Sequence, residues 1–174
     1  TGFKMKFIKI LLSILLFNST VLSFSIAEEV EKPIPSFKFN SSLPLEINSD
    51  ELNIEQNTGK ATFSGSVMAT QGNLILTAVT IVVEYALKNS RMTSEMKKLT
   101  ANKDVTIVSD TQSAVANKVV YDIISENIIM TGDVILKEGP SATSGDKLTI
   151  NLNTGSRRME GNVRTLILSE EEDT

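Results

Sequence analysis

Alternation of apolar and polar residues runs through most of the chain and constrains its fold more than any other feature. Leu45, Ile47, Leu52 and Ile54 alternate with polar neighbours, and the stretch "NLILTAVTIVVEYA" continues the pattern. Period-two alternation is typical of strands that bury one face, and the Val, Ile and Thr residues that favour strands are abundant here. The pattern therefore predicts an all-β protein in which these four residues face a core.

The alternating segments form an internal repeat. The tripeptides "GSV", "KDV", "GDV" and "GNV" end at Val67, Val105, Val134 and Val163, with spacings of 38, 29 and 29 residues. An insertion lengthens the second block, and its segment 89–104 ("NSRMTSEMKKLTANKD") predicts a helical turn or a longer loop. Repeats of short strands predict stacked antiparallel hairpins. Such a stack has one continuous apolar core along its length and two unpaired sheet edges.

The chain divides into four regions by composition. Residues 1–27 are predicted to be a leader whose stretch from Met5 is a signal peptide cut after Ala27, because a charged start, a short apolar run and small residues follow in order. Residues 28–44 form a Pro-rich linker or arm, 45–168 the β domain and 169–174 an acidic tail. An uncleaved membrane anchor is the alternative for the leader. Export without cysteine favours a periplasmic location.

Composition excludes several classes of function. The sequence has no His and no Cys, so zinc sites, Ser-His-Asp triads and thiol nucleophiles are excluded. The net charge of -4 argues against nucleic acid as a partner, and no phosphate-loop motif is present. The sequence therefore predicts a protein that is not an enzyme and uses no cofactor and no metal.

Two groups of charged residues are candidate sites. Asp50 with Glu51, Asp122 with Glu126, and Asp133 are interpreted as solvated strand ends, because nothing in the pattern places them together in a cleft. Two readings stay open for Arg157 and Arg158, which could contact a phosphorylated sugar or lie in a solvated turn.

Three stretches carry a resemblance to a known family. "FSGSVMATQGNLILTA", "ANKVVYDIISENIIMTGDVIL" and "SGDKLTINLNTGSRRMEG" resemble the OstA-like family of periplasmic lipopolysaccharide transport proteins, over roughly residues 44–168. The resemblance implies an elongated, open β-jellyroll of repeated short antiparallel strands. It also implies that the acyl chains of lipid A lie in an apolar interior, and that subunits join head to tail as a homo-oligomer. The implied partners are lipopolysaccharide and the inner-membrane and outer-membrane components of the transport system.

The resemblance and the alternation together select a set of candidate lipid-binding residues on one face of the sheet. The alternative for each of them is an ordinary place in the hydrophobic core. The set consists of Leu45, Ile47, Val105, Ile107, Tyr121, Ile123, Ile128, Met130, Val134 and Leu136.

Three other functions stay open at this point. The chain could be the bitopic inner-membrane partner of the same transport system, which an intact anchor would indicate. It could be a soluble domain of the outer-membrane partner. It could also be a structural β-solenoid with a solid core and no ligand, and bound lipid in the purified protein would exclude that reading.

Overall fold

The described part of the chain is built from β-strands that hydrogen-bond into one antiparallel sheet. The computed structural model describes residues 37, 43–110 and 112–168. Its ten strands are β1 (Glu46–Asn48), β2 (Glu51–Glu55), β3 (Lys60–Gln71), β4 (Leu74–Lys88), β5 (Arg91–Ser109), β6 (Gln112–Asp122), β7 (Asn127–Glu138), β8 (Ser141–Asn151), β9 (Arg157–Glu160) and β10 (Arg164–Leu166). No helix that could cross a bilayer occurs among these residues.

Each long strand pairs with the next strand along the chain, as stacked hairpins require. The order across the sheet is β1-β3-β4-β5-β6-β7-β8-β10, while β2 also pairs with β3 and β9 also pairs with β8. The strands β1 and β2 therefore share one edge of the sheet, and β9 and β10 share the other. The predicted all-β class and open antiparallel architecture are confirmed.

A line of bends crosses the sheet at the four repeated tripeptides. In each tripeptide the two residues before the valine both have a positive φ, which bends the backbone at that point. The strand registers shift at the same level on every neighbouring strand. The four pairs are Gly65–Ser66, Lys103–Asp104, Gly132–Asp133 and Gly161–Asn162.

Polar side chains lie directly over three of these bends. A Cβ built on Gly65 would come within 2.2 Å of the Asp50 carboxylate, and one on Gly161 would meet Asp146 at the same distance. The amide of Asn117 covers Gly132 in the same way and donates a hydrogen bond of 3.3 Å to the Asp133 carboxylate. Glycine is therefore required here both by its positive φ and by the close approach of the neighbouring strand.

The bends divide the sheet into two halves that pack against each other. Half A contains β2, β9 and the parts of the long strands that pair with them. Half B contains β1, β10 and the remaining parts. Inner-face residues of both halves, such as Ile81 and Met130 of half A and Val105 and Leu136 of half B, belong to a single buried core. A sheet face is buried only against a second layer, so the two halves form a sandwich that is continuous at the line of bends and open on the opposite side.

The segment 89–104 corrects one sequence prediction. From Arg91 onward it is part of strand β5, and only Asn89 and Ser90 form a turn, the one that joins β4 to β5. Its backbone pairs with β4 on one side and, from Lys98 onward, with β6 on the other. Leu99 and Ala101 alternate inward and are fully buried. The insertion therefore lengthens the β4–β5 hairpin beyond β6.

The edge strand β2 corrects a second prediction. Leu52 and Ile54 lie opposite Phe63 and Ala61 of β3 and so share their face, but they remain 50% and 47% exposed. An edge position explains the difference, because only one side of β2 has a neighbouring strand. Leu45 and Ile47 are half-buried against the core, as predicted.

Phe37 was not predicted to be structural, yet it is one of the most buried residues. It lies in the stretch interpreted as a Pro-rich arm, and only 1% of its surface is exposed within the core. The predicted signal peptide and the acidic tail 169–174 lie outside the described residues.

Alanine at Gly132 tests the line of bends. Gly132 and Gly139 both have a positive φ, but only Gly132 has a neighbour, Asn117, within reach of a new Cβ. Gly139→Ala is expected to cost about 1 kcal/mol of unfolding free energy through the left-handed backbone alone. Gly132→Ala is expected to cost about 1–3 kcal/mol more because Asn117 must move. Equal costs in urea unfolding would contradict the packing described for the bend.

Candidate functional site

A cleft of about 560 Å³ opens on the side of the sandwich opposite the bends. Half B contributes the region before β1 and the end of β3. Half A contributes the first part of β5, the end of β6, and the turns that follow β6 and β8. A volume of this size lies within the range of small-molecule and lipid pockets. The apolar side chains that line it are Leu43, Leu45, Met96, Leu99, Tyr121, Ile123 and Leu152.

Three polar side chains also line the cleft, those of Gln71, Ser94 and Glu126. Gln71 occupies the last inward position of β3, is buried, and donates a hydrogen bond of 3.1 Å to the carbonyl oxygen of Leu43. Burial raises the pKa of the Tyr121 phenol, and the nearby Glu126 carboxylate raises it further. Tyr121 is therefore neutral at physiological pH, and its ring offers apolar surface with a polar tip.

Beside the cleft, a polar bridge ties the two halves together. Arg157, on β9 of half A, forms an ion pair with Glu138, at the end of β7 in half B. Gln112 of β6 is buried and donates a hydrogen bond of 2.6 Å to the same carboxylate. Burial lowers the pKa of the Arg157 guanidinium, which stays charged because its ordinary pKa is so high. The sandwich is thus held closed at β7–β9 and open at the cleft.

The bridge separates the two arginines that the sequence grouped together. Arg157 points between the halves and contacts Glu138, whereas the side chain of Arg158 is 77% exposed near Glu160. The solvated turn is wrong for Arg157, which lies in β9 with its guanidinium bound to Glu138 across the opening. A contact with a phosphorylated sugar stays a prediction for the pair.

All ten candidate lipid-binding residues lie on the inner face of the sandwich. Three of them, Leu45, Tyr121 and Ile123, line the cleft. Ile47 is half-buried against the core. The other six are at most 5% exposed and form the floor and walls of the interior: Val105, Ile107, Ile128, Met130, Val134 and Leu136.

The candidate acidic residues lie at or beside bends and turns of the sheet. Asp50 and Asp133 lie at bends of the sheet. Asp122 accepts a hydrogen bond of 2.9 Å from the backbone N–H of Ser125, which lowers the pKa of its carboxyl group. Within residues 37, 43–110 and 112–168, no group of three or more carboxylates is placed to hold a metal ion.

Several cleft residues escaped the sequence reasoning. Met96 and Leu99 fall in the segment interpreted as a helical turn or loop, and Leu43 falls in the Pro-rich arm. The alternation of Met96, Lys98 and Thr100 with their neighbours is irregular because the register between β4 and β5 shifts near Tyr85. The inward alternation of Leu99 and Ala101, in phase with Val105 and Ile107 across the bend, could have identified this part of β5 as a strand.

Comparison with known proteins gives the family. Residues 46–156 match the family model described as LptA/(LptD N-terminal domain) LPS transport protein. The chain belongs to this family. The match covers the sandwich from β1 to the turn before β9, including every bend except the last. It therefore includes eight of the ten cleft-lining residues, and Leu43 and Leu45 lie just before it.

Individual relatives agree with the family assignment. The chain is 25% identical over 140 residues to the lipopolysaccharide export system protein LptA of Haemophilus influenzae, covering 76% of this chain and 78% of that protein. It is also 25% identical over 146 residues to an uncharacterised protein of Rhizobium meliloti, covering 82% of this chain and 78% of the other.

A solved structure shows the same fold. The crystal structure of LptH, the LptA-homologous periplasmic component of the lipopolysaccharide transport device of Pseudomonas aeruginosa, superposes with a TM-score of 0.64 at 14% identity. The superposition covers 74% of this chain and 97% of LptH. The predicted jellyroll architecture is therefore confirmed by an experimental fold of the same family.

Proposed function

We propose that this protein is a periplasmic carrier that binds the acyl chains of lipopolysaccharide in the cleft and passes the lipid toward the outer membrane. The observation that carries the proposal is the apolar cleft between the two halves, in a chain whose family is one of lipopolysaccharide transport proteins. The ten inner-face residues named from the sequence are the proposed lipid-binding set, with Leu45, Tyr121 and Ile123 at the entrance. A carrier of this kind needs no catalytic group.

The energetics of the cleft suit a moving lipid. Each acyl methylene that leaves water for the apolar interior contributes about 0.8 kcal/mol, so a partly inserted chain already binds usefully. Aliphatic walls such as Leu99 and Leu152 form no directional hydrogen bonds with the chain. A lipid can then slide along the interior without breaking fixed polar contacts.

The two sheet edges favour head-to-tail assembly into a bridge between the membranes. The edge strands β2 and β10 each have a strand neighbour on one side within the described chain. Leu52 and Ile54 at one edge, and Leu166 and Ile167 at the other, are about half exposed or more. Strand addition would pair these edges and cover these side chains. Because the contact joins unlike edges, it can continue into a filament.

The remaining partners follow from this assignment. The inner-membrane and outer-membrane components of the transport system would occupy the two terminal edges of the assembled bridge. The leader 1–27 is proposed to direct export to the periplasm and to be cleaved. The bitopic inner-membrane partner is the alternative if the leader persists as an anchor, and N-terminal sequencing of the exported protein distinguishes the two.

Photocrosslinking from Tyr121 tests the lipid path. A photoreactive residue at Tyr121, which faces the cleft, is expected to form an adduct with lipopolysaccharide in cells of a Gram-negative host. The matched control is Val120, the next residue of β6, which faces outward. Asn153, in the exposed turn after β8, is a second control. An adduct of equal yield at Val120, or none at Tyr121 in a folded protein, would reject the proposed path.

Proline in β10 tests head-to-tail assembly. Leu166→Pro should weaken strand addition at that edge, because proline lacks the N–H that pairing uses. Leu166 is 57% exposed, so the monomer should keep its fold. Sedimentation velocity over a concentration series is expected to show shorter assemblies than the unmodified protein gives. Unchanged sedimentation, with unchanged thermal unfolding, would exclude this edge from the contact.

A further inference from the structure

The outer face of half B is unusually apolar for the solvent side of a sheet. Antiparallel sheets that cover a core on one face normally carry polar and charged residues on the other. Here the outward residues of β3 to β6 in half B are four apolar side chains, three threonines and one serine, with no charge among these described positions. The apolar ones are Met68, Ile75, Val108 and Val115, and each is between 37% and 45% exposed.

Half A provides the internal comparison. One cross-strand row of outward residues on the same strands, Lys60–Glu84–Lys98–Asp122, carries charges of alternating sign, while the next row, Thr62–Val82–Thr100–Val120, is uncharged. Glu84 and Lys98 form a salt bridge of 3.0 Å there. The two outer faces belong to one sheet and one set of strands, so strand propensity does not explain why only half B lacks charge.

Charged residues frame the apolar face in a specific arrangement. In the cross-strand row Glu46–Thr70–Ile75–Val108–Ser113–Lys137, the acid lies at the β1 end and the base at the β7 end. A twofold axis parallel to the strands, between β4 and β5, brings Glu46 of one copy over Lys137 of the other. The same axis places Ile75 over Val108 and Met68 over Val115. These two rows are therefore complementary to themselves in charge and apolarity. The carboxylates of Asp104 and Asp133 lie at the bend side of the face, beside Thr106 and Val115.

We propose that the outer face of half B is a docking surface for a second copy of this chain, packed back to back. This contact is separate from strand addition, because it uses the face of the sheet and leaves both edges available. It would join two head-to-tail filaments side by side. The proposal does not depend on the lipid-carrier function, since none of the face residues lines the cleft.

The size of the face sets the expected strength. Six strands at about 4.8 Å spacing and five residues at about 3.4 Å give a footprint of roughly 500 Å² on each copy. Stable interfaces bury about 800 Å² per partner, so we expect a weak dimer that forms as concentration rises. Such a contact would gain strength when filaments present many copies together.

Lysine substitution at Val115 tests the surface against a matched control. Val115 and Val120 are outward valines of the same strand, one in half B and the other in half A. The protein is the full chain as cells process it, with Leu166→Pro to weaken strand addition. In this background Val115→Lys is expected to weaken dimerisation at least about tenfold. Val120→Lys is expected to leave dimerisation unchanged. Sedimentation velocity in the high-micromolar range reads the difference.

Each outcome of this comparison decides the proposal. Loss of the dimer only in Val115→Lys supports it. The proposal is overturned if the Leu166→Pro protein is monomeric before any lysine is introduced. It is also overturned if the Val115→Lys and Val120→Lys proteins dimerise equally. The second of these results would also indicate that strand edges alone account for assembly, which is the contact that Leu166→Pro addresses separately.

Cysteine crosslinking gives a second test that does not rely on a destabilising charge. The sequence has no Cys, so introduced thiols have no competitors. Met68 and Val115 lie three strands apart within one copy, about 14 Å, which is too far for an internal disulfide. A mixture of Met68→Cys and Val115→Cys proteins should form a mixed disulfide under mild oxidation. Equal yield from Met68→Cys mixed with Val120→Cys would overturn the proposal.

Discussion

The fold depends on one backbone constraint that is repeated four times. Two successive residues in the left-handed region bend β3, β5 and β7 and turn the chain between β9 and β10 at the same level of the sheet. Without these bends the alternating strands would form a flat sheet with a large exposed apolar face. With them, the inner faces of half A and half B meet. The valine after each of the first three bends is then buried where the two halves join.

The same geometry explains why the interior is closed in one place and open in another. Near the bends the two halves converge, and residues such as Val134 and Met130 are completely buried. Away from the bends the halves diverge toward their hairpin turns. The bridge of Arg157, Glu138 and Gln112 holds them together at β7–β9, while the region around Leu99 and Tyr121 stays open as the cleft. A solid core and an accessible apolar cleft are therefore parts of one continuous surface.

The alternation and the repeated tripeptides predicted the features that nearby residues determine, namely which side chains face inward and where the strands bend. The alternation placed Tyr121, Ile128 and Leu136 on the inner face, and the repeated tripeptides marked the positions that the structure identifies as bends. Residues whose environment is set by distant parts of the chain were not predictable in this way. Phe37 is buried in the core although it lies outside every strand, and the Arg157–Glu138 pair joins two halves whose meeting depends on the bends. Leu52 and Ile54 follow the inward pattern but stay exposed, because periodicity does not reveal which strand lies at an edge.

The central claim is that the apolar side chains of the cleft, rather than its polar ones, bind the lipid. Calorimetric titration with single-chain phosphorylated amphiphiles of increasing acyl length, below the concentration at which they aggregate, tests it most directly. If the chain enters the cleft, each added methylene should strengthen binding by about 0.8 kcal/mol, or about fourfold, until the cleft is filled. Affinity that does not change with chain length would contradict the account and would indicate that any binding uses the polar side chains instead.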